Sequence, residues 1–157
     1  MSWRTVKLDS LKADGRNALV GGPFGSELTT KHYVDDGVPV IRGVNLPDDQ
    51  PFNDTGFVFV SDETANRLSS NNALPGDVVF TQRGTLGQVG LIPKDSRYPR
   101  YVISQSQMKL TVDAKTVDAR FLYYFFRHPS TVETVKGHAL TSGVPHINLA
   151  ILKDFSI

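Results

Sequence analysis

Residues 74–85 read LPGDVVFTQRGT and place a turn, a strand and a polar loop in direct succession. Pro75-Gly76-Asp77 is typical of a tight turn, and the β-branched run 78–81 predicts a strand. The segment 81–88 then contains an arginine, two glutamines, two threonines and two glycines. This stretch therefore predicts a sheet with hydrogen-bonding side chains at the end of one strand.

Short apolar or β-branched runs lie on both sides of this stretch, with turn residues between them. They predict strands at 3–8, 38–42, 57–60, 89–92, 101–103 and 108–112. Because proline has no N–H for a ladder, Pro39 favours an edge strand or the start of a strand. The polar, proline-containing segment 46–55 predicts a surface loop.

Helical signals concentrate in the last third of the chain, after one short predicted helix at 63–68. Asp118 precedes the aromatic run 119–127 and Pro129 follows it, which predicts a capped helix that ends at His128. A second helix is predicted at 130–136, and Asn148 is a candidate cap for a final turn. The helical spacing of the aromatic run predicts that Phe125 and Phe126 are core residues.

Many short strands followed by helices favour an α+β fold over a parallel doubly wound sheet. A chain of 157 residues has the ordinary length of one domain, and it contains no repeat or low-complexity linker. The sequence therefore predicts a single β-rich domain over 1–157, with short mixed strands and a few short helices toward the C-terminus.

The composition excludes several classes of protein. The chain has no cysteine, which excludes a disulfide scaffold and a thiolate zinc site. No stretch approaches about 18 consecutive apolar residues, and the opening MSWRTVKLDSLK lacks the apolar core of a signal peptide. We therefore expect a cytoplasmic protein that does not insert into membranes.

The net charge of +1 argues at first against nucleic-acid binding, because such proteins usually carry an excess of basic residues. The charges are nevertheless unevenly distributed. Residues 1–80 contain 7 Lys/Arg against 11 Asp/Glu, whereas residues 81–157 contain 10 against 5. A nearly neutral chain with this asymmetry is compatible with a basic face.

Three polar segments contain side chains that suit DNA bases. Arginine can donate two parallel hydrogen bonds to guanine, and glutamine can bond the edge of adenine. The segments are 81–88, 104–107 and 141–148. In 104–107, strand alternation would place both glutamines on one face. Each also has a structural explanation: a solvated hairpin loop, the polar side of an edge strand, or the cap of a helical turn.

The chain lacks the spacing patterns of common catalytic sites. The glycine-rich GGPFG at 21–25 matches neither phosphate-binding signature, and the four histidines form no HExxH motif. No serine lies in a nucleophile elbow, and no segment resembles the Asn-Pro-Pro-Tyr motif of amino-methyltransferases. We therefore assign no catalytic residue and no metal ligand.

Five stretches, taken in order, resemble the target recognition domain of type I restriction–modification specificity subunits. They are 3–8, 37–46, 74–85 with Gly87, 118–124, and 141–148 leading to 155–157. The most specific parts are PGDVVFTQRGT and SGVPHINLAILKDFSI. The resemblance spans nearly the whole chain.

This resemblance implies a non-catalytic module that reads one half of a split duplex-DNA target through loops in the major groove. It implies methyltransferase and restriction subunits as partners. S-adenosylmethionine, ATP and Mg²⁺ would belong to those partners, with no cofactor bound by this chain. It also implies that the chain ends where the family's spacer helix would begin.

Side-chain chemistry selects candidates for the DNA face. Arg83 and Gln82 come first, and Arg97 and Arg100 are candidates for contacts with flanking phosphates. The remaining candidates are Gly84, Thr85, Gln88, Gln105, Gln107, Ser142, His146, Lys31, His32, Arg42 and Asn45.

Two other classes of function stay open at this point. A β-rich protein-interaction or carbohydrate-binding module would have a neutral groove lined by aromatic side chains. A small hydrolase assembled from distant residues would have a deep pocket with a perturbed histidine or carboxylate.

Overall fold

In the computed structural model, which describes residues 2–157, nine short strands form two sheets. In chain order the strands are β1 (Leu19–Gly21), β2 (Tyr33–Val34), β3 (Val38–Ile41), β4 (Val58–Val60), β5 (Asn72–Ala73), β6 (Val78–Thr81), β7 (Val89–Leu91), β8 (Tyr101–Ile103) and β9 (Gln107–Leu110). One sheet has the order β1-β9-β6-β7, and the other has the order β2-β4-β3-β8-β5. The second sheet is mixed, because β3 and β8 are parallel.

The helices follow the sequence signals closely, and the predicted α+β fold is confirmed. They are α1 (Asp62–Arg67), α2 (Ala119–Arg127), α3 (Pro129–Gly137) and α4 (Leu149–Lys153). Ser61, Asp118 and Asn148 each accept a backbone N–H from the first turn of α1, α2 and α4. These caps satisfy donors that have no partner within the helix. Among residues 2–157, no helix is both long and apolar enough to cross a bilayer.

Three apolar clusters hold these layers together. The largest joins the first sheet to the C-terminal helices and includes Phe80, Leu122 and Phe126, with Phe125 packed against it, as predicted. A second cluster joins the two sheets, and a third packs α1 against the five-stranded sheet. The first sheet therefore lies between the C-terminal helices and the second sheet.

Two strand predictions need correction. The predicted strand at 3–8 is wrong, because Leu8–Leu11 forms a short 3₁₀ helix and Trp3 is 88% exposed. Only isolated pairing occurs there, with the backbone of Val6 hydrogen-bonded to that of Ile157. The edge position for Pro39 is also wrong, because β3 lies between β4 and β8. The proline is nonetheless near the start of β3, and pairing with β8 begins only at Val40.

A buried charged pair links β6 and β9 on the face toward the second sheet. Lys109 Nζ lies 3.8 Å from Asp77 Oδ2, and both side chains are almost fully buried. The Asp77 carboxylate also accepts hydrogen bonds from Leu74 N (2.9 Å) and Thr111 Oγ1 (2.7 Å). Burial raises the pKa of Asp77 and lowers the pKa of Lys109. These contacts assign both groups to the structure of the sheet.

The turn 104–106 connects the two sheets and determines where the loops meet. It follows β8 of the second sheet and precedes β9 of the first. Because β3 and β8 are parallel, their carboxyl ends lie side by side. The residues that follow these strands, Arg42 and Ser104, are therefore on the same side of the molecule. Because Thr81 pairs with Gln107, the loop after β6 begins beside the same turn.

Candidate functional site

Five loops converge at one edge of the molecule, which we call the loop edge: 22–28, 42–45, 82–88, 104–106 and 140–147. Direct hydrogen bonds connect them. Gln82 N donates to Ser106 O, and Ile147 N donates to Gln82 O, each at 2.8 Å. The remaining loops are joined by glutamine side chains. Loop segments from distant parts of the sequence thus form one continuous surface.

Arg83 is the most available cation of the loop edge. Its side chain is exposed, and among residues 2–157 its guanidinium has no hydrogen-bond or ion-pair partner. Its backbone is fixed by a bridge to His146. Gly84 follows with φ of +102°, which a residue with a side chain rarely adopts. The loop therefore presents a free guanidinium from a well-anchored backbone.

Arg42 lies across a groove from Arg83. The groove has a volume of about 390 Å³, and Arg42, Val44, Arg83 and Thr85 are among the residues that line it. The guanidinium of Arg42 donates one hydrogen bond, from Nη2 to Gly56 O at 3.2 Å, and its Nε is buried without a partner among the described residues. No carboxylate of the described residues lines this groove. The arrangement suits an anionic or hydrogen-bond-accepting ligand.

Three of the candidate glutamines act as braces between loops. Gln105 Nε2 donates to Leu28 O at 2.7 Å, and Gln82 Nε2 donates to Gln105 O at 2.7 Å. Gln88 Nε2 donates to Gly43 O at 3.2 Å, while its Oε1 accepts from Thr81 Oγ1 at 3.0 Å. These amides hold the loops together. Gln88 and Gln105 each donate two hydrogen bonds to carbonyl groups, whereas Gln82 donates one.

Two candidates are wrong because their side chains are buried. Gln107 is 1% exposed and bonds to Thr81 and Ser104, so the two glutamines of 104–107 do not share a face. Asn45 is fully buried, and its amide binds Arg42 N, Asn53 O and Thr55 O. Sequence reasoning treated both as surface residues because polar side chains in short segments are usually exposed.

Four of the candidate basic residues lie away from the loop edge. Arg97 and Arg100 precede β8, at the opposite end of that strand from Gln105. Arg97 donates to Asp54 O, and Arg100 forms an ion pair with Asp62 at 3.2 Å. Lys31 and His32 precede β2, the edge strand of the second sheet. The structure does not bring these four residues together with Arg83.

Ser142 and His146 occupy the loop between α3 and α4. Two backbone hydrogen bonds between Leu140 and His146 close this loop, and Ser142 is exposed within it. His146 is half-buried, and its Nδ1 lies 3.0 Å from Val144 O. Both residues therefore belong to the loop edge, next to Arg83.

The fold pairs part of the positive charge of the second half of the sequence with carboxylates. Cations of the second half pair with carboxylates of the first half, as in Lys109–Asp77, Arg100–Asp62 and Arg127–Asp48. Local pairing also occupies Arg120 with Asp118. Other cations of the second half, such as Lys94 and Lys153, form no ion pair among the described residues, and among these unpaired cations Arg83 lines the groove.

Four exposed apolar residues of the loop edge, Phe24, Val44, Leu140 and Val144, were not predicted. Val44 is 60% exposed in the groove, and Phe24 is 84% exposed in the loop 22–28. Val44 lies in the stretch 37–46, which is one of the stretches that resemble the recognition domains. An apolar residue between Arg42 and Asn45 was the sequence feature that could have indicated an exposed apolar side chain among the candidate DNA contacts. Its exposure depends on how the turn Gly43–Asn45 is oriented, which the sequence alone does not determine.

A larger cavity of about 780 Å³ lies at the other end of the first sheet. Its lining includes Asp77, Lys94, Asp118 and Arg120. Asp77 is occupied by its three internal partners, and hydrogen bonds from Arg120 lower the pKa of Asp118 to about 2. Among residues 2–157, no group of three or more His, Asp or Glu is arranged to hold a metal ion.

Comparisons with known proteins agree with this architecture. A family model described as the type I restriction modification DNA specificity domain matches residues 25–157. No curated protein matches the chain. Similar solved structures include a chain from a type I R-M system described in terms of complex assembly and conformational transition, with 18% identity, a TM-score of 0.67 and coverage of 99% of this chain and 33% of that one.

Two further solved structures are specificity subunits. One is the S subunit of a type I restriction-modification system from M. genitalium, with 19% identity, a TM-score of 0.62 and coverage of 99% of this chain and 34% of that one. The other is the HsdS subunit from Thermoanaerobacter tengcongensis, with 17% identity, a TM-score of 0.58 and coverage of 96% and 34%. This chain spans about a third of the length of the solved chains it matches. It belongs to the family of type I restriction modification DNA specificity domains, and it is a recognition domain without a catalytic function of its own.

Proposed function

We propose that this chain reads one half of a split duplex-DNA target through its loop edge. The observation that carries the proposal is the groove with Arg42 and Arg83 on its walls and no carboxylate of the described residues in its lining. Arg83 has the reach and the free donors to bond guanine O6 and N7 in the major groove. Its neighbour Gly84 leaves room for the backbone to approach a phosphate.

The same proposal includes the partners that the family resemblance implies. The domain would present its half-site to methyltransferase subunits, and a restriction subunit would cleave unmodified DNA in the same complex. S-adenosylmethionine, ATP and Mg²⁺ would be bound by those subunits. The complex would act in the cytoplasm, where it has access to DNA.

The groove does not favour the alternative functions. A carbohydrate-binding or protein-interaction module was expected to have an aromatic-lined groove, but the described lining of this groove contains no aromatic side chain. A hydrolase was expected to have a perturbed acid available to substrate. Asp77, whose pKa is raised by burial, is instead enclosed by Leu74, Lys109 and Thr111, and Asp118, whose pKa is lowered, is hydrogen-bonded to Arg120.

Selection from a pool of random duplexes tests the proposal. We expect the chain to enrich one short sequence motif, with weak affinity that falls steeply as salt concentration increases, because phosphate contacts release counterions. As a control, the variant Arg16→Ala should enrich the same motif, because Arg16 is exposed in the turn before β1 and lies away from the loop edge. Retention of all sequences equally, or of none, would contradict the proposed function.

A further inference from the structure

Val44 is an exposed apolar side chain within a groove that otherwise presents arginines and hydrogen-bonding groups. It is the middle residue of the 3₁₀ turn Gly43–Asn45 and is 60% exposed. It lines the same groove as Arg42 and Arg83. A ligand that reaches Arg83 through this groove would therefore also cover Val44.

The turn that presents Val44 is held from several sides. Asn45 Oδ1 accepts from Arg42 N at 2.9 Å, and Asn45 Nδ2 donates to Asn53 O and Thr55 O. Gln88 Nε2 donates to Gly43 O at 3.2 Å from the neighbouring loop. A β-branched side chain also has few rotamers. Val44 thus occupies a defined position and cannot easily withdraw when a ligand binds.

The chemistry of the DNA major groove limits what can face this side chain. Base edges present hydrogen-bond donors and acceptors there, and the exception is the C5-methyl group of thymine. A polar base edge covered by an isopropyl group would lose water without gaining a partner, which is unfavourable. A methyl group in the same place would bury apolar surface on both molecules.

We propose that Val44 is a specificity-determining residue that contacts the 5-methyl group of a pyrimidine in the base pair beside it. This inference rests on the proposed function, since it requires duplex DNA in the groove. The methyl group belongs either to thymine or to 5-methylcytosine, which present the same group at the same position. Arg83 and Val44 then read different features of one DNA segment, a guanine edge and a pyrimidine methyl.

A methyl-deletion experiment tests the inference. The motif enriched by the chain is synthesised with each thymine replaced singly by deoxyuridine, and separately with each cytosine replaced by 5-methylcytosine. We expect one deoxyuridine to weaken binding about fourfold, the effect of exposing one buried methyl group, or one 5-methylcytosine to strengthen binding by the same factor. Val44→Ala should reduce that response, because it removes most of the apolar surface at this position, while binding the rest of the motif.

The control variant is Val34→Ala, because Val34 is also an exposed valine but lies on the edge strand β2. It should respond to the methyl group as the original chain does. A clear motif with no methyl response, or an equal response in Val44→Ala, would overturn the role of Val44 and leave the proposed function standing. A pool without any enriched motif would overturn the proposed function and this inference together.

Discussion

Arg83 and Arg97 show how the same residue type acquires different roles from its contacts. Arg97 is exposed, but both its backbone N–H and its guanidinium donate to Asp54. Arg83 has no such partner among the described residues, and it lies in the groove. A DNA contact through Arg83 therefore breaks no existing interaction, whereas one through Arg97 competes with Asp54.

Replacement of Arg83 by alanine tests the base contact. If the guanidinium bonds one guanine, Arg83→Ala should cost about 1–3 kcal/mol in binding and relax the preference at one base position. The measurement is competition binding against every single-base variant of the motif. Arg16→Ala should leave the profile unchanged. A uniform loss for all sequences would instead assign Arg83 to a phosphate.

The limits of sequence reasoning are clearest at the glutamines. Gln82, Gln88, Gln105 and Gln107 all occur in short polar segments beside strands, and all were predicted to face DNA. In the fold, three connect loops and one is buried. The three bracing glutamines donate to backbone carbonyl groups, which lie as far as 80 residues away in the sequence. No local pattern separates a bracing amide from one that reads a base.

Among the elements, the loop containing Val44 depends on the loop after β6 through Gln88. This side chain donates to Gly43 O and Leu46 O and accepts from Thr81 Oγ1. It therefore connects one wall of the groove to the other. Any change in this brace should alter the groove as well as the stability of the fold.

Two substitutions of Gln88 distinguish the effect of losing its hydrogen bonds from the effect of placing a negative charge beside carbonyl oxygens. Gln88→Met keeps the length but loses the hydrogen bonds, which should cost about 1–2 kcal/mol of unfolding free energy. Gln88→Glu should cost more at neutral pH, because its carboxylate would face two carbonyl oxygens. Urea unfolding at pH 7 measures both. Equal stability of the two variants would contradict the bracing role.

The pair between β6 and β9 gives a pH-dependent prediction. Burial raises the pKa of Asp77 above 3.8, and hydrogen bonds and Lys109 partly offset this. Lys109→Met removes the Lys109 part of that offset, so the pKa of Asp77 rises further, and the folded state holds the proton more tightly than the unfolded chain. The contribution of Asp77 to stability is then present at low pH and is lost as the pH rises from 3.8 through the raised pKa.

We therefore expect Lys109→Met to be destabilised by about 3 kcal/mol at pH 7, with a smaller deficit near pH 4. Urea unfolding at the two pH values provides the measurement. The double variant Asp77→Asn/Lys109→Met should recover part of the loss, because no charge is left unpaired in the sheet. A deficit that grows as the pH falls would contradict this description of the pair.

Elements with local signals were predictable, and those that depend on distant partners were not. The bounds of α2 follow from Asp118 and Pro129, and the structure places the helix at Ala119–Arg127. The false strand at 3–8 has the right alternation, but within residues 2–157 its long-range backbone hydrogen bonds go to the segment 155–157 and not to a strand. Alternation alone does not supply a neighbouring strand.

At the scale of the whole molecule, the fold redistributes the charge that the sequence separates. Three cations of the second half pair with carboxylates of the first, whereas Arg83 at the loop edge forms no ion pair among the described residues. The segments 6–8 and 155–157 are also hydrogen-bonded to each other, so these two segments lie side by side. A graft joined at these two segments therefore has both of its junctions at the same site of a recipient.

The most direct measurement is the map of methylated adenines produced by a type I methyltransferase complex whose specificity subunit carries this chain in place of one recognition domain. We expect one half of the target to change to the motif that the chain selects alone, while the other half is retained. A map identical to that of the original recipient subunit would contradict the claim that this chain reads DNA sequence.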